Sequence, residues 1–279
     1  MMLNIKFSSR SCLVLAGAIA ASVVATQSYA GSCRGGKGIG VHRTVVLNTN
    51  SGVHYGASHR GAKNFLKPKE VVLTFDDGPN LSTTPRVLKH LKRHCTKATF
   101  FMVGRMATNA KALTRKVVSE GHTIGIHSNS HRNLRRTSAS KAIKDVETSI
   151  SVLNSVSGNK AARFFRFPYL AENNSVNRHL ERKGYGIFGV DVDSMDYRMR
   201  SPGSMVNRIM AGLRKHGRGI VLLHDTKKVT AAGVGMLLDR LHREGFKIVH
   251  IKSGRTGSRG DRLAHDWKIR QSLSSKYEG

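Results

Sequence analysis

The chain has 279 residues, 39% of them hydrophobic, which allows one large domain or two small ones and excludes wholesale disorder. Its 47 Lys and Arg against 17 Asp and Glu leave a formal charge of +30. That balance suits nucleic acid, an anionic membrane surface or an acidic polymer as partner.

In chain order, Lys6 and Arg10 precede an apolar run from Cys12 to Ala25, and Ser28-Tyr29-Ala30 puts small residues where a signal peptidase reads. The pattern predicts a secretory signal over 1–30, cut before Gly31. The alternative is a membrane anchor, but the run is shorter than the roughly 20 residues of a spanning helix. No other stretch is long and apolar enough to span, so no stable membrane span is expected after cleavage. Losing Lys6 and Arg10 takes 2 from the +30 and leaves +28. Export to the periplasm, cell envelope or exterior argues against nucleic acid as the working partner. It favours anionic envelope polymers, with a basic surface serving only solubility as the other reading. Cys12 leaves with the signal; Cys33 and Cys95 stay, and a disulfide or two separate thiols are both open.

Residues 31–67 form a Gly- and Ser-rich extension. Alternating runs at Arg43–Asn48 and Val53–Tyr55, around Asn50-Ser51-Gly52, predict a small β-hairpin there. The main domain spans 68–252. Its apolar, β-branched or aromatic runs fall at Val71–Phe75, Ala98–Val103, His122–Ile126, Arg163–Arg166, Ile187–Val190, Gly219–Leu223 and Phe246–Ile251. Helical stripes lie between them at Val87, Leu88 and Leu91, at Ile143, Val146, Ile150 and Leu153, and at Val206, Ile209, Met210 and Leu213. Gly121, Gly158, Gly184, Gly217 and Gly245 mark helix ends. Such alternation predicts an α/β fold with a mostly parallel sheet. A barrel one unit short of eight is expected, with an open doubly wound sheet as the runner-up. Residues 253–279 read as a basic, flexible tail.

In either architecture chemistry belongs at strand C-termini, and five polar clusters fall there. Val71–Phe75 runs into Asp76-Asp77-Gly78-Pro79. Adjacent carboxylates at the end of a buried strand call for a cation, although an Asp-Gly-Pro turn would also end a strand. His122–Ile126 runs into His127-Ser-Asn-Ser-His131, whose histidines share one face if the chain turns helical. Joined to Asp77 they would make a three-ligand site with positions open to water. Arg166-Phe-Pro-Tyr169, Asp193-Ser-Met-Asp196-Tyr197 and Leu222-Leu-His224 close three more strands. Taken singly, each has a bland reading as a proline stop, an acidic loop or a satisfied histidine.

Taken together, Thr-Phe-Asp-Asp-Gly-Pro (74–79), His-Ser-x-x-His (127–131), Arg-x-Pro-Tyr (166–169), Asp-Ser-x-Asp-Tyr (193–197) and Leu-Leu-His (222–224) resemble the polysaccharide deacetylases. These are the family-four carbohydrate esterases, or NodB-homology domain, and the resemblance covers roughly 68–252. It implies a distorted, incomplete (β/α) barrel of about seven units. It implies that Asp77, His127 and His131 bind one divalent ion, usually zinc, with Co, Ni or Mn in other members. Asp76 would be the general base acting on water at that ion, with Arg166 pairing and tuning it. The Tyr169 N–H would hold the oxyanion, and Asp196 would orient His224, the general acid. Pro168, Tyr197 and Leu222 would touch substrate. The fourth motif departs from the family by ending in Tyr197 where Trp is usual, which puts fine specificity in doubt.

The expected activity is metal-dependent N-deacetylation of glycans containing GlcNAc or MurNAc, by a monomer. Peptidoglycan, chitooligosaccharide and poly-N-acetylglucosamine all fit. O-deacetylation and a non-catalytic cationic envelope-binding role are the alternatives.

Overall fold

The computed structural model describes residues 38–49, 53–58 and 61–254. The predicted signal, Cys33, the Asn50-Ser51-Gly52 turn and the chain after 254 lie outside them. Cys95, just past the first helix, is disulfide-bonded.

Among the described residues ten strands form one sheet. They are β1 (Arg43–Leu47), β2 (His54–Tyr55), β3 (Glu70–Asp76), β4 (Thr99–Met102), β5 (Thr123–Ile126), β6 (Phe164–Phe165), β7 (Gly186–Phe188), β8 (Val192–Asp193), β9 (Gly219–His224) and β10 (Lys247–Ser253). The described residues also form seven α-helices: α1 (Thr84–Arg93), α2 (Gly104–Asn109), α3 (Lys111–Ser119), α4 (Ala139–Ser157), α5 (Asn174–Arg182), α6 (Pro202–His216) and α7 (Lys228–Arg243). The helices begin and end where local chemistry directs. In α6, Ser201 accepts from the Ser204 N–H, Pro202 opens the first turn, Arg214, Lys215 and His216 crowd the last, and Gly217 closes it in a left-handed conformation.

Every named ladder is parallel, and the main run of the sheet is β8-β9-β3-β4-β5-β6-β7. Strand parity splits β3 between two cores. Val71, Leu73 and Phe75 face the helices. Val72 faces the interior with Phe101, Phe164, Phe188 and Ile220. Interior rings pack closely, with centroids 5.5 Å apart for Phe101–Phe188 and 4.7 Å for Phe164–Phe188. Each such burial stabilises the fold by about 1.5–3 kcal/mol. Gly125 makes room for them, since a Cβ there would lie 2.6 Å from the Phe101 ring.

The sheet is open, in keeping with the incomplete barrel expected. No ladder joins β7 to β8 among the described residues. The β7 edge pairs with β2 instead, and the chain beyond β2 occupies the seam. There the Ser58 N–H donates to Val190 O (3.1 Å) and the Ala57 N–H to Asp191 Oδ1 (2.6 Å). This corrects the hairpin expectation. β1 and β2 form where the alternation placed them, but β1 pairs with β10 and β2 with β7, both in parallel. Two exposed sheet edges offered ready ladders, and the chain satisfied those instead of pairing its own two strands. A further strand, β8, carries too few residues for periodicity to reveal. β10 reaches Ser253, one residue into the expected tail.

Candidate functional site

The parity that sends Val72 inward also directs Thr74 and Asp76 inward, and the register places Asp76 opposite both Phe101 and His224. Asp76 is the last residue of β3 and is buried. Its Oδ1 accepts a 2.7 Å bond from Arg166 Nη1. Arg166 is fully buried and spends its remaining donors on Thr74 Oγ1 (2.8 Å), Gly189 O (3.1 Å) and Phe188 O (3.4 Å). Its guanidinium lies 4.3 Å from the centroid of the Phe101 ring. An arginine is tolerated in that interior because each face of it meets a partner.

Asp77 turns away from Asp76 because the backbone enters the left-handed region there, with φ 74°. One ligand atom from each of Asp77, His127 and His131 lies within 4.8 Å of the others. Asp77 Oδ1 is 2.9 Å from His131 Nε2 and 3.5 Å from His127 Nε2. That oxygen is buried without a hydrogen-bond partner. The His127 Nδ1 sits 2.8 Å from Arg166 O, so that nitrogen carries the proton and Nε2 presents a lone pair. Lone pairs converging on a buried carboxylate oxygen form a donor set that fits a divalent cation. Burial would raise the Asp77 carboxyl, but His127 and His131 beside it hold it well below the usual carboxylate range.

The two histidines meet without the helical turn that would have put them on one face. Residues 127–133 form an irregular loop, with Ser128 and His131 at φ 62° and 55°. Asp145 on α4 pins the loop, accepting from the Asn129 N–H (2.8 Å), the Ser130 N–H (3.3 Å) and the Ser130 hydroxyl (2.5 Å). Sequence reasoning missed Asp145. Nothing in α4, which carries Lys141, Lys144 and Glu147 besides, sets it apart.

On the opposite wall, His224 Nδ1 lies 2.6 Å from Asp196 Oδ1, and the His224 N–H donates to Asp196 Oδ2 at 2.7 Å. The Thr230 hydroxyl also donates to Oδ2. Burial pulls the His224 imidazole down, but the Asp196 hydrogen bond and the nearby Asp196, Asp76 and Asp77 charges push it up to about 9. His224 Nε2 is 4.0 Å from Asp77 Oδ2. Tyr197 stands edge-on to the His224 ring at 5.7 Å, and Tyr169 edge-on to His131 at 4.8 Å.

Asp225 lies behind this wall, fully buried, with Thr84 donating to its Oδ2 and with Oδ1 unpartnered. It fills the space beside the Asp-Asp turn so tightly that a Cβ on Gly78 would meet it at 2.2 Å. Burial raises its carboxyl, the Thr84 bond opposes, and the Asp77 and Asp76 charges reinforce the rise, to about 7.

These groups surround a cleft of about 500 Å³ lined by Asp76, Asp77, His127, His131, Phe167, Tyr169, Leu170, Asp193, Tyr197, Leu222, His224 and Lys227. Of the expected residues, Arg166 and Asp196 stand behind the wall rather than on it. Pro168 departs from its expected place: it is buried, and Phe167 and Leu170 line the cleft in its stead. A proline that fixes the loop's path turns its ring into the protein. Lys227 is an addition that sequence reasoning did not single out, and Asp193, quoted there only as part of its motif, is on the wall as well. Asp77, Ser128, His131, Tyr169, Leu170 and Met195 all adopt positive φ. Backbone strain is thus gathered in the loops around the cleft, where surrounding contacts can hold it.

The model of a family described as polysaccharide deacetylase matches residues 63–188. The peptidoglycan-N-acetylglucosamine deacetylase of Listeria monocytogenes is 35% identical over 183 residues, covering 66% of this chain and 38% of that protein. The chain thus spans about two fifths of the length of that relative. A chitooligosaccharide deacetylase of a Bradyrhizobium species is 30% identical over 194 residues, covering 64% of this chain and 88% of that one. Among solved structures, the Bdellovibrio bacteriovorus peptidoglycan deacetylase superposes with a TM-score of 0.69 at 29% identity, covering 76% of this chain and 59% of that chain.

Proposed function

The chain belongs to the polysaccharide deacetylase family, and on that premise we propose that it hydrolyses the N-acetyl amide of a GlcNAc- or MurNAc-containing glycan to acetate and a free amine. One observation carries this reading. A three-ligand cluster lies in a single cleft with a carboxylate, Asp76, and an imidazole, His224, beside it. Relatives named as peptidoglycan and chitooligosaccharide deacetylases support the substrate class.

A divalent ion held by Asp77, His127 and His131, for which this oxygen–nitrogen donor set favours zinc, would supply Lewis acidity to the acetyl carbonyl and acidify the attacking water. The remaining work belongs to side chains. Arg166 occupies Asp76 Oδ1 and stabilises its charge, so Oδ2, 3.8 Å from His127 Nε2, is left to accept the water's proton. The Tyr169 N–H, in a strained left-handed turn, is the proposed donor to the oxyanion. His224, with Nδ1 tied to Asp196, presents Nε2 as an acid to the departing nitrogen. An amine leaves an amide only when protonated, and a histidine held above neutrality is charged at pH 7. That requirement favours the amide over an ester. Phe167, Leu170 and Leu222 give the methyl and sugar faces an apolar wall, with Tyr197 at its rim.

The expected signal and the basic charge support action at an anionic envelope polymer. Among the described residues no helix is long and apolar enough to cross a membrane.

The test is release of acetate and amine from acetylated glucosamine oligomers and peptidoglycan fragments before and after chelation. Activity is expected to disappear with the metal and return on adding Zn²⁺. Full activity in metal-free protein would sink the mechanism. The acid assignment has its own test. Asp196→Asn is expected to lower kcat by about 10²-fold and to move the alkaline limb of the pH–rate profile downward. The variant loses the carboxylate that raises His224, so the imidazole gives up its proton at lower pH. An unmoved limb would remove His224 from the role.

A further inference from the structure

Lys227 is the one lysine or arginine among the described residues that line the cleft. Its backbone is fixed against the acid side of the site, since the Lys227 N–H donates to His224 O at 3.1 Å. The residue is half-buried, immediately before α7, a helix with no acid in its first turn. Among the described residues no carboxylate pairs with its ammonium. The acids nearby are engaged elsewhere. Asp196 holds His224 and Thr230, and Asp225 is buried with Thr84. Asp193, also on the wall, accepts from the Met195 N–H at 2.8 Å and bonds the Tyr197 side chain. Asp76 and Asp77 face Arg166 and the two histidines.

A lysine on the cleft wall whose ammonium has no carboxylate partner among the described residues is open to an anion that the ligand brings. A neutral acetylglucosamine oligomer carries none. An acetylated sugar bearing a carboxylate substituent, such as the lactyl ether of a muramic acid unit, carries one within a few bonds of its amide. The flexible stem of a lysine can follow that carboxylate as a point charge, without needing a fixed fork geometry.

We propose that Lys227 is a specificity residue, selecting N-acetylated glycans that bear a carboxylate on or beside the sugar being deacetylated. The inference rests on the deacetylase reading and narrows its substrate class. The experiment measures kcat and KM for wild type, Lys227→Met and Lys227→Arg on three glycans of equal length. One is an acetylglucosamine oligomer, one alternates with muramic acid carrying a free lactyl carboxylate, and one is the same glycan with that carboxyl amidated. Lys227→Met keeps the apolar stem. It is expected to lose about tenfold in kcat/KM on the free-carboxylate glycan, mostly through KM, and to stay within about twofold on the other two. Lys227→Arg should recover most of the loss. An equal loss on all three glycans, or none on the acidic one, would overturn the assignment. Inactivity of the wild type on every glycan, with its metal bound, would instead overturn the deacetylase reading and this inference with it.

Discussion

Asp76→Asn is expected to reduce kcat for amine release by about 10³-fold while metal content, read by mass spectrometry of the native protein, stays at wild-type level. The amide oxygen can still accept from Arg166 Nη1, and Asn is close to Asp in size, so the β3 terminus keeps its shape. What disappears is the basic oxygen that faces the cleft. The two carboxylates are separable because Asp76 is bonded to Arg166 while Asp77 Oδ1 meets His127 and His131. Substitution of Asp77 should therefore behave in the opposite manner, emptying the site of metal. If Asp76→Asn lost its metal, the division between base and ligand would fail. If it kept full activity, Asp76 would not be the base.

Arg166→Met should unfold at lower urea, with a stability loss of about 3–5 kcal/mol, because removing one partner strands the other charge in the interior. The loss is larger than for a surface pair since Arg166 is wholly buried. Its departure leaves Asp76 Oδ1, Thr74 Oγ1, Gly189 O and Phe188 O all short of a donor. Arg166→Lys keeps the charge but cannot reach these acceptors with one ammonium, so an intermediate loss is expected. Wild-type stability in the Met variant would show that the ion pair is not holding the sheet interior. Deacetylation should fall in both variants, and more steeply in Met.

Much of this site can be read along the chain because parallel α/β sheets put chemistry where strands stop. The Asp76-Asp77 pair, the His127 and His131 loop and His224 each follow an apolar run by a single step, and that adjacency is a local signal. Asp145 was not legible. It acts across 16 residues on the Asn129 N–H, and nothing in the α4 stripe distinguishes it from any exposed acid. Asp225 was passed over for a different reason. It directly follows His224, which drew the attention, and its burial behind Gly78 exists only once α1 and β9 are brought together. The convergence of His127 and His131 was legible only as a condition on a helical turn, because spacing reports which residues can share a face but not which backbone shape achieves it.

The sequence by itself determined the strand and helix order, the helix ends at their glycines, the residues with chemistry at strand C-termini and the family they resemble. All of these depend on neighbours within a few positions. Tertiary structure alone decided that β1 and β2 go to separate sheet edges and that the barrel stays open between β7 and β8. It alone decided that Arg166 meets Asp76 across 90 residues of chain and that His224 meets Asp196 across 28. It also turned Lys227 into the cleft and Pro168 out of it. The physical reason is range. Capping and hydrophobic periodicity act along the backbone, whereas edge pairing, charge pairing and the facing of a side chain depend on which distant surface packing brings near.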